Sequence, residues 1–148
     1  LSSAASDVYK RQQVDVIVCG IGTGGTITGV AKYLKTKKEI YVVGVEPSGS
    51  PFLTEHRKGS HQIEGIGAGF QPSILDMDYV DEVIPISDDE AILGAKQVMK
   101  QYGIFVGISS GAAYAAALRI KEKMKEKNIV VIFADGCEKY MSTRLFED

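Results

Sequence analysis

Apolar and polar residues run along the chain in blocks whose period keeps changing. Val14, Val16, Ile17 and Val18 form a β-branched run, the pattern of a strand buried on both faces of a parallel sheet. Thr26, Ile27, Val30, Ala31 and Leu34 then recur at helical spacing. A strand over 14–19 therefore passes through a knot of glycines into a helix over 25–35. A second strand is expected over 39–47, stopped by Pro47, and a weaker third over 82–87. Ser87 and Glu90 form S-x-x-E, a capping box, and the helix it opens carries Ile92, Ala95, Val98 and Met99 to a glycine cap at Gly103. Ser109 or Ser110 is expected to cap a longer helix that ends in the solvated face "RIKEKMKEKN". "IVVIF" (129–133) predicts a final buried strand, and "STRLFED" (142–148) a helix cut short. Strands alternating with helices give an α/β fold, a parallel sheet flanked by helices.

Residues 48–81 fit no element. Intervals of that length without secondary structure are uncommon in compact domains and are usually functional or disordered. Here Gly65, Gly67 and Gly69 alternate with Ile66, Ala68 and Phe70, which argues against disorder and for backbone passing close to something. Residues 1–12 show no periodicity and no signal-peptide core, and are expected to be a scar or a truncated connector, with one domain over 13–148. A chain of 148 residues has room for one domain with a real core and not for two. Its net charge of −2 gives no reason to expect nucleic acid or an anionic membrane as partner. The longest uncharged stretch, "GIFVGISSGAAYAAAL", is shorter than the ~20 residues of a membrane span. Cys19 and Cys137 lack C-x-x-C spacing and histidines in ligand register, so they read as free thiols of a reducing compartment, with no metal site.

The chemistry is expected at the glycine knot. A strand, a glycine turn and a helix start expose backbone N–H groups at the positive end of a helix dipole, which makes an anion site. Gly20, Gly22 and Gly25 satisfy the dinucleotide spacing G-x-G-x-x-G, and Glu46 ends the next strand where a ribose-binding acid would sit. No G-K-[ST] follows, which excludes a nucleoside triphosphate loop. The glycines alone leave a nicotinamide dinucleotide and a smaller phosphate both open. The rest of the chain favours the smaller one. In "GTGGT", Thr23 and Thr26 add two hydroxyls around the paired glycines. "FVGISSGAA" places Ser109 and Ser110 at a second helix start among small residues, and "EGIGAGF" supplies a third, backbone wall. A phosphate cradle, a hydroxyl and a flat wall are the parts that hold a phosphorylated planar heterocycle such as pyridoxal phosphate.

The segments "VDVIVCGIGTGGTITGVAKYLK", "VVGVEPSGSPFL", "HQIEGIGAGFQP", "VDEVIPISDDEA", "GIFVGISSGAAYAAAL" and "NIVVIF" follow one another as in cysteine synthase (O-acetylserine sulfhydrylase), which the chain resembles from Gln13 to Asp148. The resemblance implies the C-terminal part of the fold-type-II, tryptophan synthase β-like fold and pyridoxal phosphate as cofactor. It implies that Gly22, Thr23, Gly24, Gly25 and Thr26 bind the cofactor phosphate and that Ser109 hydrogen-bonds the pyridine nitrogen. Gly65, Ile66, Gly67 and Ala68 would line the cofactor and the amino-acid substrate. The implied reaction joins O-acetyl-L-serine and sulfide to give L-cysteine and acetate. The implied setting is a cytoplasmic homodimer, with the C-terminal tail of serine acetyltransferase as a further partner. The rivals are a cystathionine β-synthase-like or other fold-type-II enzyme, a nicotinamide-dependent oxidoreductase, and a binding fragment without activity.

The chain also departs from the family. Its "ADGCEKY" stands where the family has P-[DS]-S-G-E-R-Y; among the altered residues, Gly136 removes a hydroxyl and Cys137 replaces a glycine. His61 matches a family histidine and is expected as a surface turn residue; Glu46, His56 and Lys58 are expected to be solvated or structural. The Schiff-base lysine motif S-x-K-[DE]-R and the substrate loop T-S-G-N-T-G do not occur, and the lysines present, 32, 35, 121, 123, 125 and 127 among them, are expected on solvated helix faces or charged turns. The chain therefore resembles the C-terminal half of the enzyme, with no catalytic residue of its own.

Overall fold

The structure is a computed structural model and describes residues 13–140, 142, 145 and 146. The expectations for residues 1–12, and for most of 142–148, lie outside the described residues. Four strands, β1 (Val16–Gly20), β2 (Tyr41–Pro47), β3 (Glu82–Ile86) and β4 (Ile129–Val131), form one sheet in the order β3-β2-β1-β4, with every pairing parallel. Helix α1 (Gly25–Lys35) links β1 to β2, and α2 (Phe52–Glu55) is a single turn after β2. Helices α3 (Asp88–Tyr102) and α4 (Ile108–Lys123) join β3 to β4.

Alternation along β1 and β2 divides the core in two. Val16, Val18, Val43 and Val45 pack with Ala95, Val98, Ala112 and Ala116 of α3 and α4. Ile17, Cys19 and Val42 point the other way and pack with Ile27 and Ala31 of α1 and with Leu75. Both faces of the sheet are covered, which is why β1 and β2 read as continuous apolar runs rather than as alternating ones. The edge strand β4 departs from that pattern. It is three residues long and half-exposed, not the buried strand expected over 129–133, because among the described residues it pairs with β1 alone. The long interval holds α2 and a 3-10 turn at Met77–Tyr79; the rest has no regular structure.

Local signals hold where they are complete. Ser87 accepts from the Glu90 N–H at 3.3 Å while the Glu90 carboxylate accepts from the Ser87 N–H at 2.9 Å, and Gly103 ends α3 at φ 68°. Helices α3 and α4 meet backbone to backbone: a Cβ on Gly94 would lie 2.4 Å from the Gly111 carbonyl oxygen, and one on Gly111 would lie 2.1 Å from that of Ala91. Neither contact can be relieved by a side-chain rotation. Gly111→Ala is expected to lower stability by about 1–3 kcal/mol, the cost of overpacking a rigid contact. Urea denaturation checks this, and an unchanged midpoint would refute the close crossing.

The sheet order also places a crevice. From β1 the chain leaves towards β2 through α1 on one face, whereas β4 is reached through α3 and α4 on the other. Between β1 and β4 the connections diverge, and in open parallel sheets ligands bind beyond the strand C-termini at such a point.

Candidate functional site

The segments after β1 and β4 enclose a cavity of about 570 Å³ at that crevice. Gly22, Thr23, Gly24 and Thr26 line one side; Ser109, Ala134 and Asp135 line the other; Gly65 and Ile66 close a third. Gly24 is the N-cap of α1 with φ 84°, and its missing Cβ is occupied in effect by Leu75, whose Cβ would be 2.5 Å away. Gly24 offers no side chain to cap α1, no other side chain among the described residues does so, and the first turn of the helix holds no acid. The N-terminus of α3, by contrast, has a capping box and three acidic residues, and that of α4 has the Asp135 carboxylate. The first-turn N–H groups of α1 thus keep their unneutralised positive field, with the exposed Thr23 and Thr26 hydroxyls beside them.

The glycine loop leans directly on this turn. A Cβ on Gly22 would lie 2.3 Å from the Gly65 carbonyl oxygen, and the Gly67 N–H donates to the Ile21 carbonyl at 3.1 Å. Gly65 and Ile66 therefore face the cavity. Ala68 borders an adjoining recess of about 300 Å³, and Gly67 packs against Pro47 and His61 instead. His61 is not a surface turn residue. Its Nδ1 accepts from the Ile63 N–H at 3.2 Å, which leaves Nε2–H to donate to the Gly67 carbonyl at 3.2 Å, so the ring braces the loop.

Ser109 lines the cavity, but neither Ser109 nor Ser110 is the helix cap expected from the sequence. Gly107 is the N-cap, and the two serines are the second and third residues of α4. The cap comes from Asp135, 25 residues further on: its carboxylate accepts from the Ser109 N–H (3.2 Å), the Ser110 N–H (2.9 Å), the Ser110 hydroxyl (2.5 Å) and the Tyr140 hydroxyl (2.8 Å). Burial alone would raise the Asp135 pKa, but the bonds from Ser110, Tyr140 and Ser109 outweigh it and hold the group below its ordinary value. Its stabilising contribution is accordingly complete at neutral pH and is lost only as pH falls through that depressed value. Tyr140 is pushed up, by burial first and then by the carboxylate it donates to.

Asp135 and Tyr140 belong to the quoted "ADGCEKY", but no role follows for them from the sequence, because a cap supplied from 25 residues away leaves no local spacing to detect. Lys139 and Glu64 also line the cavity, so at least one lysine of the chain belongs to this site rather than to a solvated helix face. Cys19 lies on the cavity floor as a protonated thiol, its pKa raised by burial to about 11. Cys137 is likewise free, and Gly136 forms an isolated bridge with Val106. Of the two roles expected for Glu46, solvated or structural, the structural one holds. The side chain is 2 % exposed, and its carboxylate accepts from the Leu53 and Thr54 N–H groups and the Thr54 hydroxyl, which commits both oxygens to the start of α2. Buried beneath these donors, Glu46 does not line the cavity and is not placed to hold a ribose there.

Comparison with known proteins agrees with this geometry. Residues 2–135 match the family described as "Pyridoxal-phosphate dependent enzyme". The chain belongs to that family. It is 49 % identical to the cysteine synthase of Buchnera aphidicola subsp. Schizaphis graminum, over 95 % of this chain and 48 % of the relative. It is also 49 % identical to cysteine synthase A of Escherichia coli K12, over 92 % and 46 %. Among solved structures, an O-acetyl serine sulfhydrylase isoform 3 from Entamoeba histolytica superposes with a TM-score of 0.90 at 42 % identity, over 98 % of this chain and 45 % of that one. The chain spans about half the length of the curated relatives it matches. Its sheet and helices are those of the fold-type-II enzymes dependent on pyridoxal phosphate, and the dinucleotide alternative is set aside. The residues present suit the family's cofactor: an uncapped helix start with two hydroxyls for a monophosphate, a hydroxyl-bearing turn opposite, and a glycine wall for a flat ring.

Proposed function

We propose that this chain is the cofactor-binding C-terminal part of a cysteine synthase, which forms L-cysteine and acetate from O-acetyl-L-serine and sulfide. The 49 % identity to cysteine synthases, over nearly the whole chain, carries the proposal. The N–H groups and hydroxyls of residues 22–26 would hold the cofactor phosphate, with Gly25 contributing as the first helical residue. Ser109 would meet the pyridine nitrogen as a neutral hydroxyl. Gly65, Ile66 and Ala68 would cover the amino-acid substrate, with Gly67 holding the loop from behind through Pro47 and His61. Pyridoxal phosphate, when bound, supplies the electron sink that lets the substrate lose its α-proton and then its acetate. A hydroxyl partner holds the ring in place without forcing a proton onto its nitrogen, which suffices where a leaving group carries the charge away. A carboxylate there would favour the protonated ring and a broader range of reactions.

The same proposal includes a cytoplasmic homodimer and docking of the serine acetyltransferase C-terminal tail. The full-length protein carrying this chain should produce cysteine from O-acetylserine and sulfide; cystathionine from serine and homocysteine would favour the other fold-type-II reading instead. Residues 1–148 alone contain neither family motif for the Schiff-base lysine and the substrate carboxylate, and should give no cysteine above background. Loss of the general base by itself typically costs 10²–10⁴ in rate. Turnover by residues 1–148, with one defined lysine trapped by borohydride, would overturn that part.

A further inference from the structure

We propose that Asp135 is a positioning residue of the cofactor site, setting through the first turn of α4 where the Ser109 hydroxyl stands in the cavity. The inference rests on the reading of Ser109 as the partner of the ring nitrogen. Asp135 lines the cavity, yet its carboxylate is occupied on both oxygens. Oδ2 takes the Ser109 N–H and the Tyr140 hydroxyl; Oδ1 takes the Ser110 N–H and the Ser110 hydroxyl. The backbone is fastened too, with the Gly107 N–H donating to the Asp135 carbonyl at 3.1 Å. The space is made for this carboxylate: a Cβ on Gly107 would lie 2.4 Å from Oδ2 and 2.5 Å from Tyr140 Cε2.

Two consequences follow from that geometry. Each carboxylate oxygen receives one backbone N–H, which cannot rotate away, and one hydroxyl. An asparagine amide must therefore set its NH₂ against a fixed N–H in either orientation, so Asp135→Asn disturbs the turn that carries Ser109 although the side chain keeps its size. The negative charge is also spread over four donors at a helix N-terminus, so Ser109 can serve the ring as a neutral hydroxyl while a carboxylate stands nearby.

A mere helix cap would lower stability and leave the cofactor's affinity alone. Acting through Ser109 predicts coupling. The test titrates pyridoxal phosphate into the cofactor-free full-length protein and its Ser109→Ala, Asp135→Asn and doubly substituted variants, following cofactor absorbance and fluorescence. Ser109→Ala is expected to weaken binding five- to tenfold, Asp135→Asn by a similar factor, and the double variant no more than Ser109→Ala alone. Independent multiplication of the two effects, or an unchanged affinity for Asp135→Asn, would overturn the proposal while leaving Ser109's role intact. An unchanged affinity for Ser109→Ala would overturn the assignment of Ser109 and this inference with it. If Asp135→Asn does not fold, Tyr140→Phe replaces it, removing one donor of the four. It should weaken binding two- to threefold when Ser109 is present and not when alanine replaces it; an equal loss in both backgrounds overturns the proposal.

Discussion

Thr26→Asp is expected to abolish tight cofactor binding while leaving the cofactor-free protein as stable as before, or slightly more stable. Thr26 is the second residue of α1, exposed, and lines the cavity. An acid in the first turn of an otherwise uncapped helix interacts favourably with its dipole, by about 0.3–1 kcal/mol. The same carboxylate repels the cofactor phosphate proposed to sit there. At ~4 Å and an effective dielectric constant of ~20, two unit charges repel by about 4 kcal/mol, roughly a thousandfold in Kd. Thr26→Val removes the hydroxyl without adding charge and should cost about 1 kcal/mol of binding, one hydrogen bond. The signature is the opposite sign of the two effects of the aspartate, read by urea denaturation and by titration with pyridoxal phosphate. Unchanged affinity in Thr26→Asp would mean that the phosphate does not bind at α1.

At Gly24 a charge is not needed to destroy the site. Gly24→Asp and Gly24→Ala should both lower stability, by about 3 kcal/mol, and both should lose the cofactor. Gly24 has φ 84°, a left-handed conformation that costs an L-residue about 1–2 kcal/mol. Its Cβ would also lie 2.5 Å from Leu75 Cβ and 2.8 Å from Leu75 Cα. Leu75 is buried and its N–H is bonded to the Pro72 carbonyl at 3.0 Å, so it has little room to withdraw, and overpacking adds about 1–3 kcal/mol. Electrostatic repulsion acts on top of this in the aspartate alone. A Gly24→Ala protein with native stability and native cofactor affinity would refute the steric reading and return the effect to charge.

Features with a local cause were legible from the order of residues alone. The span of α1 from Gly25 to Lys35, the Ser87–Glu90 capping box, the Gly103 cap and the glycine turn between β1 and α1 all follow from residues within one or two helical turns of one another. The parallel class followed from apolar runs too continuous for a sheet with one wet face. Features that depend on residues brought together from distant segments emerged only with the fold. Glu46, at the position of a ribose-binding acid, is a buried cap for α2 because the chain folds Leu53 and Thr54 back over it. His61 became a brace because Gly67 reverses the loop onto its ring. Strand β4 is half-exposed because among the described residues it has one neighbour in the sheet, which its apolar sequence cannot reveal. Ser109 and Ser110 have the composition of an N-cap, but a carboxylate held near the helix start outcompetes a hydroxyl for its N–H groups. That carboxylate, Asp135, reaches α4 only because β4 delivers it beside Gly107, where the absence of a side chain leaves it room.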